Sequence, residues 1–226
     1  MLYFIHTILR YDSCTWLSSL SFSFYGNNCF SFCYVPHIPL TVCYAWYSES
    51  NHMNIFCTEQ DPTGSALVLP DKHVVKMPLE CCQMVSVIYS HWYRDCGQVF
   101  KADGTPYKTT GGFRNHPCTV WASQSDENLA WLIAHGHALC AEYTHRYGKH
   151  HACEQSLIGA EEVFIRSTGK PISCYTEACG FARAMPDEFK LDHSITTFEA
   201  YKMYISSKPW VSANYLRKPE RKPSWV

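Results

Sequence analysis

The sequence predicts a mainly α fold: a compact single helical domain with long loops, preceded by an irregular N-terminal extension. Three observations point there. The chain has 226 residues, 46% of them hydrophobic and 15% aromatic, which is enough for one substantial core. Of its 19 Lys or Arg and 20 Asp or Glu, residues 1–52 hold only Arg10, Asp12 and Glu49, so composition breaks at Met53 and the body beyond it is electrically balanced. Within that body, several segments carry apolar residues at helical spacing between cap and breaker residues.

Residues 1–52 fit no ordered class well. From Ser13 to Ser48 there is no charge, yet the stretch is rich in Ser, Phe, Tyr and Cys and is interrupted by Gly26, Pro36 and Pro39. A membrane helix needs about 20 consecutive apolar residues, and a secretory signal needs a basic start and a compact apolar run. "SSLSFSFYGNNCFSFCYV" offers neither cleanly. The expectation is an extension, unstructured or lying upstream of a natural start at "MNIF", and no membrane span.

The body reads in order. "MNIFCTEQDP" is a short extended start closed by the turn signal "DPTGS". A first helix runs from about Asp71, as N-cap, toward Gly97, with a bend or restart at Pro78 because an interior proline removes a hydrogen bond and crowds the preceding turn. "KADGTPYKTTGGF" is a turn-rich loop, and "RNHPCTVWASQS" leads to a second helix capped by Ser125 or Asp126. That helix, "DENLAWLIAHGHALCAEYTHRYGK", has an apolar stripe of Leu132, Gly136, Leu139, Tyr143 and Tyr147. "CEQSLIGAEEVFIR" is a third helix, "FARAMPDEFK" a turn, and "TTFEAYKMYISSK" a fourth helix. The tail interleaves Lys208, Arg217, Lys218, Arg221 and Lys222 with Trp210, Tyr215 and Trp225; this suits nucleic acid, or a basic tail that packs its rings on the body.

Chemistry concentrates in two polar rows. In "DKHVVKMPLE", His73 and Glu80 lie seven residues apart, nearly two helical turns, with Lys76 between them. Alone, such a row reads as a solvated helix face. The second helix repeats the pattern with Trp131, His135, Glu142, Arg146 and Lys149, so two polar rows could meet across one cleft. His135, His137, Cys140, His145, His150, His151 and Cys153 crowd nineteen residues but lack metal-site spacing, and no H-E-x-x-H occurs, so no metal is expected. The nine body cysteines form no C-x-x-C pair and read as small buried residues of a reducing, cytoplasmic compartment. No Gly-rich phosphate loop and no nucleophile elbow is present, which counts against nucleotide-binding enzymes and common hydrolases.

From Met53 onward, the order "MNIF", "DKHVVKM.LE", "NHPC..W", "N..WL..H..AL..EYT.RYGK.H", "MPDEFK" and "AY..Y...K" resembles the phage-type pyrimidine dimer DNA glycosylases. The resemblance covers most of the body and none of the extension. It implies excision of a damaged or modified pyrimidine from double-stranded DNA by a terminal amine, Met53 or Asn54, through an imine, followed by cleavage of the abasic strand. It implies Glu80 as the catalytic carboxylate, with His73 beside it. Lys72, Lys76, Arg114, Asn115, His116, His135, Arg146 and Lys149 would meet DNA. It implies no cofactor, a monomer, and a place in the cytoplasm of an infected or host cell. A non-catalytic nucleic-acid-binding protein of the same fold is the alternative, and a metal-dependent enzyme the less favoured one.

Overall fold

Asn54 organises the first of the described residues. Its side-chain oxygen accepts from the backbone N–H of Ile55 and Phe56 at 2.8 and 3.0 Å, and its amide donates to the Ala184 carbonyl at 2.7 Å. This local turn competes with regular structure and leaves residues 53–58 irregular, with Phe56 at φ 41°. Ile55 and Cys57 are fully buried, so the segment threads the core. The computed structural model describes residues 53–226, and the expected extension over residues 1–52 lies outside the described residues.

Seven α-helices and no strand occur among the described residues, which agrees with the mainly helical expectation. The turn signal "DPTGS" in fact opens a helix, α1, Pro62–Leu67: Asp61 caps it by accepting from Gly64 N at 2.8 Å, and Pro62 takes the first position, where its missing N–H costs nothing. Helix α2 spans Asp71–Tyr89. Pro70, not Asp71, is its N-cap, and the helix stops at Tyr89 rather than Gly97 because Ser90 turns extended.

Nor does α2 restart at Pro78; it runs through that residue. The proline is buried within the fold, and the Val75 carbonyl, next to the Val74 carbonyl that Pro78 leaves without its helical donor, bonds to His151 Nε2 at 3.0 Å. Since a carbonyl only accepts, His151 carries its proton on Nε2 here, and its Nδ1 accepts from Cys153 N.

Helix α3, Pro117–Ser123, again begins with proline and was not anticipated as a helix; the His116 ring caps it by accepting from Cys118 N. Helix α4, Asp126–Tyr147, is the central element, with α1, α2, α3 and α5 all packed on it. Ser125 caps its start and Gly148, left-handed at φ 68°, ends it. Gly136 lets α5, Glu154–Thr168, come close: a Cβ there would sit 2.7 Å from Leu157 Cδ2. A single turn, α6, Asp187–Lys190, precedes α7, Thr197–Ser206, which opens with a capping box between Thr196 and Glu199. All nine cysteines of the described residues are free, and six of them are buried.

The tail folds back on the body. Tyr215 is buried and donates to the Val68 carbonyl, Trp225 packs against the core, and Asp71 Oδ2 accepts from the backbone N–H of Leu216 and Arg217. Beside it the Arg146 side chain is fully enclosed. Arg146 donates to the Leu67 and Leu69 carbonyls, to Asp71 at 3.0 Å and to Glu142 at 2.7 Å, while Arg221 from the tail adds two bonds to Glu142. Two carboxylates and two guanidiniums thus balance in a nearly dry setting, where removing one partner costs about 3–5 kcal/mol. Arg146→Ala is expected to lose that much stability in urea unfolding, and Arg146→Lys most of it, because lysine lacks the planar fork that serves several acceptors at once.

Candidate active site

Helix α2 and the irregular start of the chain build the site. Along α2 the seven-residue step turns His73 and Glu80 to one face, which Asn54, Phe56 and Trp210 cover: they are only 7% and 4% exposed. The row is therefore no solvated face. A buried carboxylate needs compensation, and Glu80 has it on both oxygens. Oε2 accepts from the backbone N–H of Asn54 at 2.8 Å, and Oε1 meets Lys76 Nζ at 2.9 Å. Burial nonetheless pushes the Glu80 carboxyl above its usual range, against the opposing pull of Lys76 and the Asn54 amide.

His73 is sandwiched. Phe56 stacks on it with centroids 4.1 Å apart and planes 15° from parallel, and Trp210 meets it edge-on at 5.5 Å. Burial, helped by the charges of Lys208, Lys76 and Lys72, holds its pKa down at about 3, so the ring is neutral near pH 7. It offers an apolar face and hydrogen bonds, not a cation. Its Nδ1 is enclosed without a hydrogen-bond partner. The cations stand around it: the Lys72 ammonium lies 4.4 Å over Trp210 and that of Lys208 4.4 Å over Tyr204.

The other residues named from sequence divide into three sets. Met53 is buried next to the Asn54 contact. Arg114 stacks on Trp92 at 4.2 Å, its carbonyl accepting from the Tyr93 hydroxyl, and it precedes exposed Asn115 and the capping His116 at the mouth of α3. That helix returns to the site through Cys118, whose thiol burial, with Glu80 nearby, raises to about 12. The second polar row does not join the first across a cleft. His135 is fully buried, bonded to the Pro62 carbonyl at 2.9 Å and stacked on Trp131; Arg146 serves the buried network; Lys149 is exposed beyond the end of α4. Of the clustered histidines, His137 pairs with Glu161, His150 with Glu154, and His151 with Val75. A groove of about 640 Å³ beside His137, Glu161 and Arg221 includes none of the residues around Glu80.

A carboxylate held against a backbone nitrogen, beside a neutral histidine and a ring of lysines, suits acid–base work on a phosphate-bearing substrate. Residues 53–155 match the pyrimidine dimer DNA glycosylase family. The match bears out the resemblance read from the sequence, over this segment. No curated protein and no solved structure matches the chain. Asn54, His73, Lys76 and Glu80 all lie in the matched segment, whereas Tyr204, Lys208 and Trp210 lie outside it. Sequence reasoning missed Phe56, Tyr204, Lys208 and Trp210 as site members. Lys208 and Trp210 were visible only as part of a basic aromatic tail, and no spacing ties Phe56 to His73. No described helix is long and apolar enough to cross a membrane.

Two titrations follow from burial. A histidine pKa lowered on folding contributes stability that is present above about pH 6.5 and lost as acid is added, at up to about 1.4 kcal/mol per pH unit. His73→Gln is expected to flatten the fall in stability between pH 6 and 4 by about that slope. Glu80 has the opposite sign, since its raised pKa makes the ionised form a cost to folding near neutrality. Glu80→Gln is therefore expected to melt no lower than the parent at pH 7, with any advantage shrinking as the pH falls through the carboxyl's pKa.

Proposed function

We propose that this chain is a DNA glycosylase and abasic-site lyase that removes a damaged or modified pyrimidine through an imine. The observation that carries the reading is the 2.8 Å contact between Glu80 Oε2 and Asn54 N. In a chain that begins at Asn54, this nitrogen is a terminal amine, whose ordinary pKa of about 7.7–8.0 leaves a useful neutral fraction near pH 7. Glu80 then lies beside the nucleophile itself. The alternative start, Met53, would place its amine one residue upstream of that contact.

The steps follow from those positions. Asn54 N attacks C1′ of the flipped nucleotide, and the base leaves with the glycosidic electron pair and takes up a proton. Glu80 stabilises the positive charge that develops at the sugar. The sugar ring opens to an imine, a base removes the C2′ proton, and the C3′–O bond breaks with the phosphate leaving. Lys72, Lys76 and Lys208 meet the flanking phosphates, and Arg114 to His116 extend the contact along the duplex. Neutral His73, wedged between Phe56 and Trp210, walls the sugar's pocket and gives or takes a hydrogen bond without adding charge.

Borohydride reduction tests this, because it freezes an imine into a stable protein–DNA bond. Chains beginning at Met53 and at Asn54 are offered duplex DNA with a thymine dimer or an abasic site. Trapping at the Asn54 nitrogen, mapped by mass spectrometry, is the expected result, with cleavage about 10²–10⁴-fold slower in Glu80→Gln. Folded protein that binds DNA but gives no trapped band from either start would overturn the enzyme reading in favour of a nucleic-acid-binding protein.

A further inference from the structure

We propose that Lys76 is a second amine of this site, able to open abasic DNA in a chain where Asn54 N is tied into a peptide bond. The proposal rests on the DNA reading above and adds an activity to it: lyase action on a pre-formed abasic sugar, with no base excision and no free terminus. The two oxygens of Glu80 are divided between two nitrogens, Asn54 N at 2.8 Å and Lys76 Nζ at 2.9 Å. One carboxylate therefore serves both positions.

Accessibility separates the two nitrogens. With residues upstream of it, Asn54 N is an acylated amide and no nucleophile, and Asn54 is 1% exposed. The Lys76 side chain is 45% exposed while its tip still reaches the buried Glu80 carboxylate. The neighbouring lysines are differently engaged, with the Lys72 and Lys208 ammoniums lying over the rings of Trp210 and Tyr204. Of the three, Lys76 is the one that meets the buried Glu80 carboxylate, a proton acceptor suited to general-base work. Burial raises the basicity of that acceptor.

The substrate class is the open-chain aldehyde of an abasic deoxyribose, which is electrophilic without any base to displace. Lys76 gives one proton to Glu80 and adds through its lone pair to C1′. Glu80 returns that proton to the departing hydroxyl of the carbinolamine, so that water and a protonated imine form, and the carboxylate, ionised again, takes the now acidic C2′ proton. The C3′–O bond breaks and the phosphate departs with the electron pair. Water then hydrolyses the imine and returns the amine, so no oxidant, reductant or metal is consumed.

The test uses the full chain from Met1 on duplex DNA carrying an abasic site, with borohydride trapping and peptide mapping. A trapped band on the peptide containing Lys76 is expected, lost in Lys76→Gln and equally in Lys76→Arg, which keeps the charge beside Glu80 but has no nucleophilic amine. Lys170→Gln, an exposed lysine outside the site, should trap as the parent does. Thymine-dimer DNA should give no band with the full chain. Equal trapping by Lys76→Arg, or a cross-link mapped elsewhere, would overturn the proposal. The chain beginning at Asn54, run in parallel, separates the two readings: trapping by it alone overturns the Lys76 proposal and leaves the excision reading standing. Trapping at Lys76 of the full chain, with none at Asn54 of the shorter one, does the reverse.

Discussion

The architecture hangs on one buried guanidinium. Arg146 reaches from the last turn of α4 to the carbonyls that close α1, to the first residue of α2 and to Glu142 on its own helix. Each of these groups would be costly to bury alone, so they are stable only together. The direction in which α2 leaves the end of α1, and with it the position of Glu80 about two and a half turns on, is set by this cluster. The tail obeys the same constraint, since its backbone at Leu216 and Arg217 docks on the oxygen of Asp71 that Arg146 leaves open. A charged cluster of this kind adds little net stability over a well-packed apolar one, but it specifies a single arrangement.

Local signals made much of the fold legible. Ser125, Gly148, Gly169, Thr196 and Glu199 mark helix ends by chemistry that acts within a turn, and the helices they bound were readable from the sequence to within a few residues. The failures share one cause. Asp-Pro read as a turn and His-Pro as part of a connecting segment, yet at residues 61 and 116 each opens a short helix, because proline is equally suited to a turn and to a first helical position, and tertiary packing chooses. Asp71 looked like a cap, but its carboxylate is drawn instead to Arg146 and to a tail about 145 residues away. Pro78 looked like a break, but the helix continues beneath the imidazole of His151. Such distant partners leave no periodic trace.

The site was legible in its helical part and invisible elsewhere, for the same reason. His73, Lys76 and Glu80 share one helix, so spacing alone joins them. Spacing could not distinguish a solvated row from a buried one, because burial depends on what the first residues of the body and the tail bring against it. Nor could it show that the second polar row does different work. In that row Arg146 and Glu142 hold the fold, while His135 fixes the start of α1 through the Pro62 carbonyl. Equal patterns on two helices thus divide into one that stabilises and one that carries a strained charge.

That division has a consequence for where chemistry can reside. Arg146 and its partners set two guanidiniums against two carboxylates, joined to one another by hydrogen bonds. Glu80 is buried to a similar degree with one backbone amide and one half-exposed lysine as compensation, and its affinity for protons rises. The segment matched to the glycosylase family contains this carboxylate and both nitrogens it touches. The tail contributes Lys208 and Trp210, which face the histidine. Because Asp71 anchors the tail only seven residues along the chain from Trp210's own turn, an arrangement that serves stability at one end of α2 also delivers a ring and a cation to the site two residues later on the same helix. Fold and site are coupled through Asp71 and His73, two residues apart in one helical turn, and a change that loosened the tail would reach the histidine's environment before it reached the carboxylate.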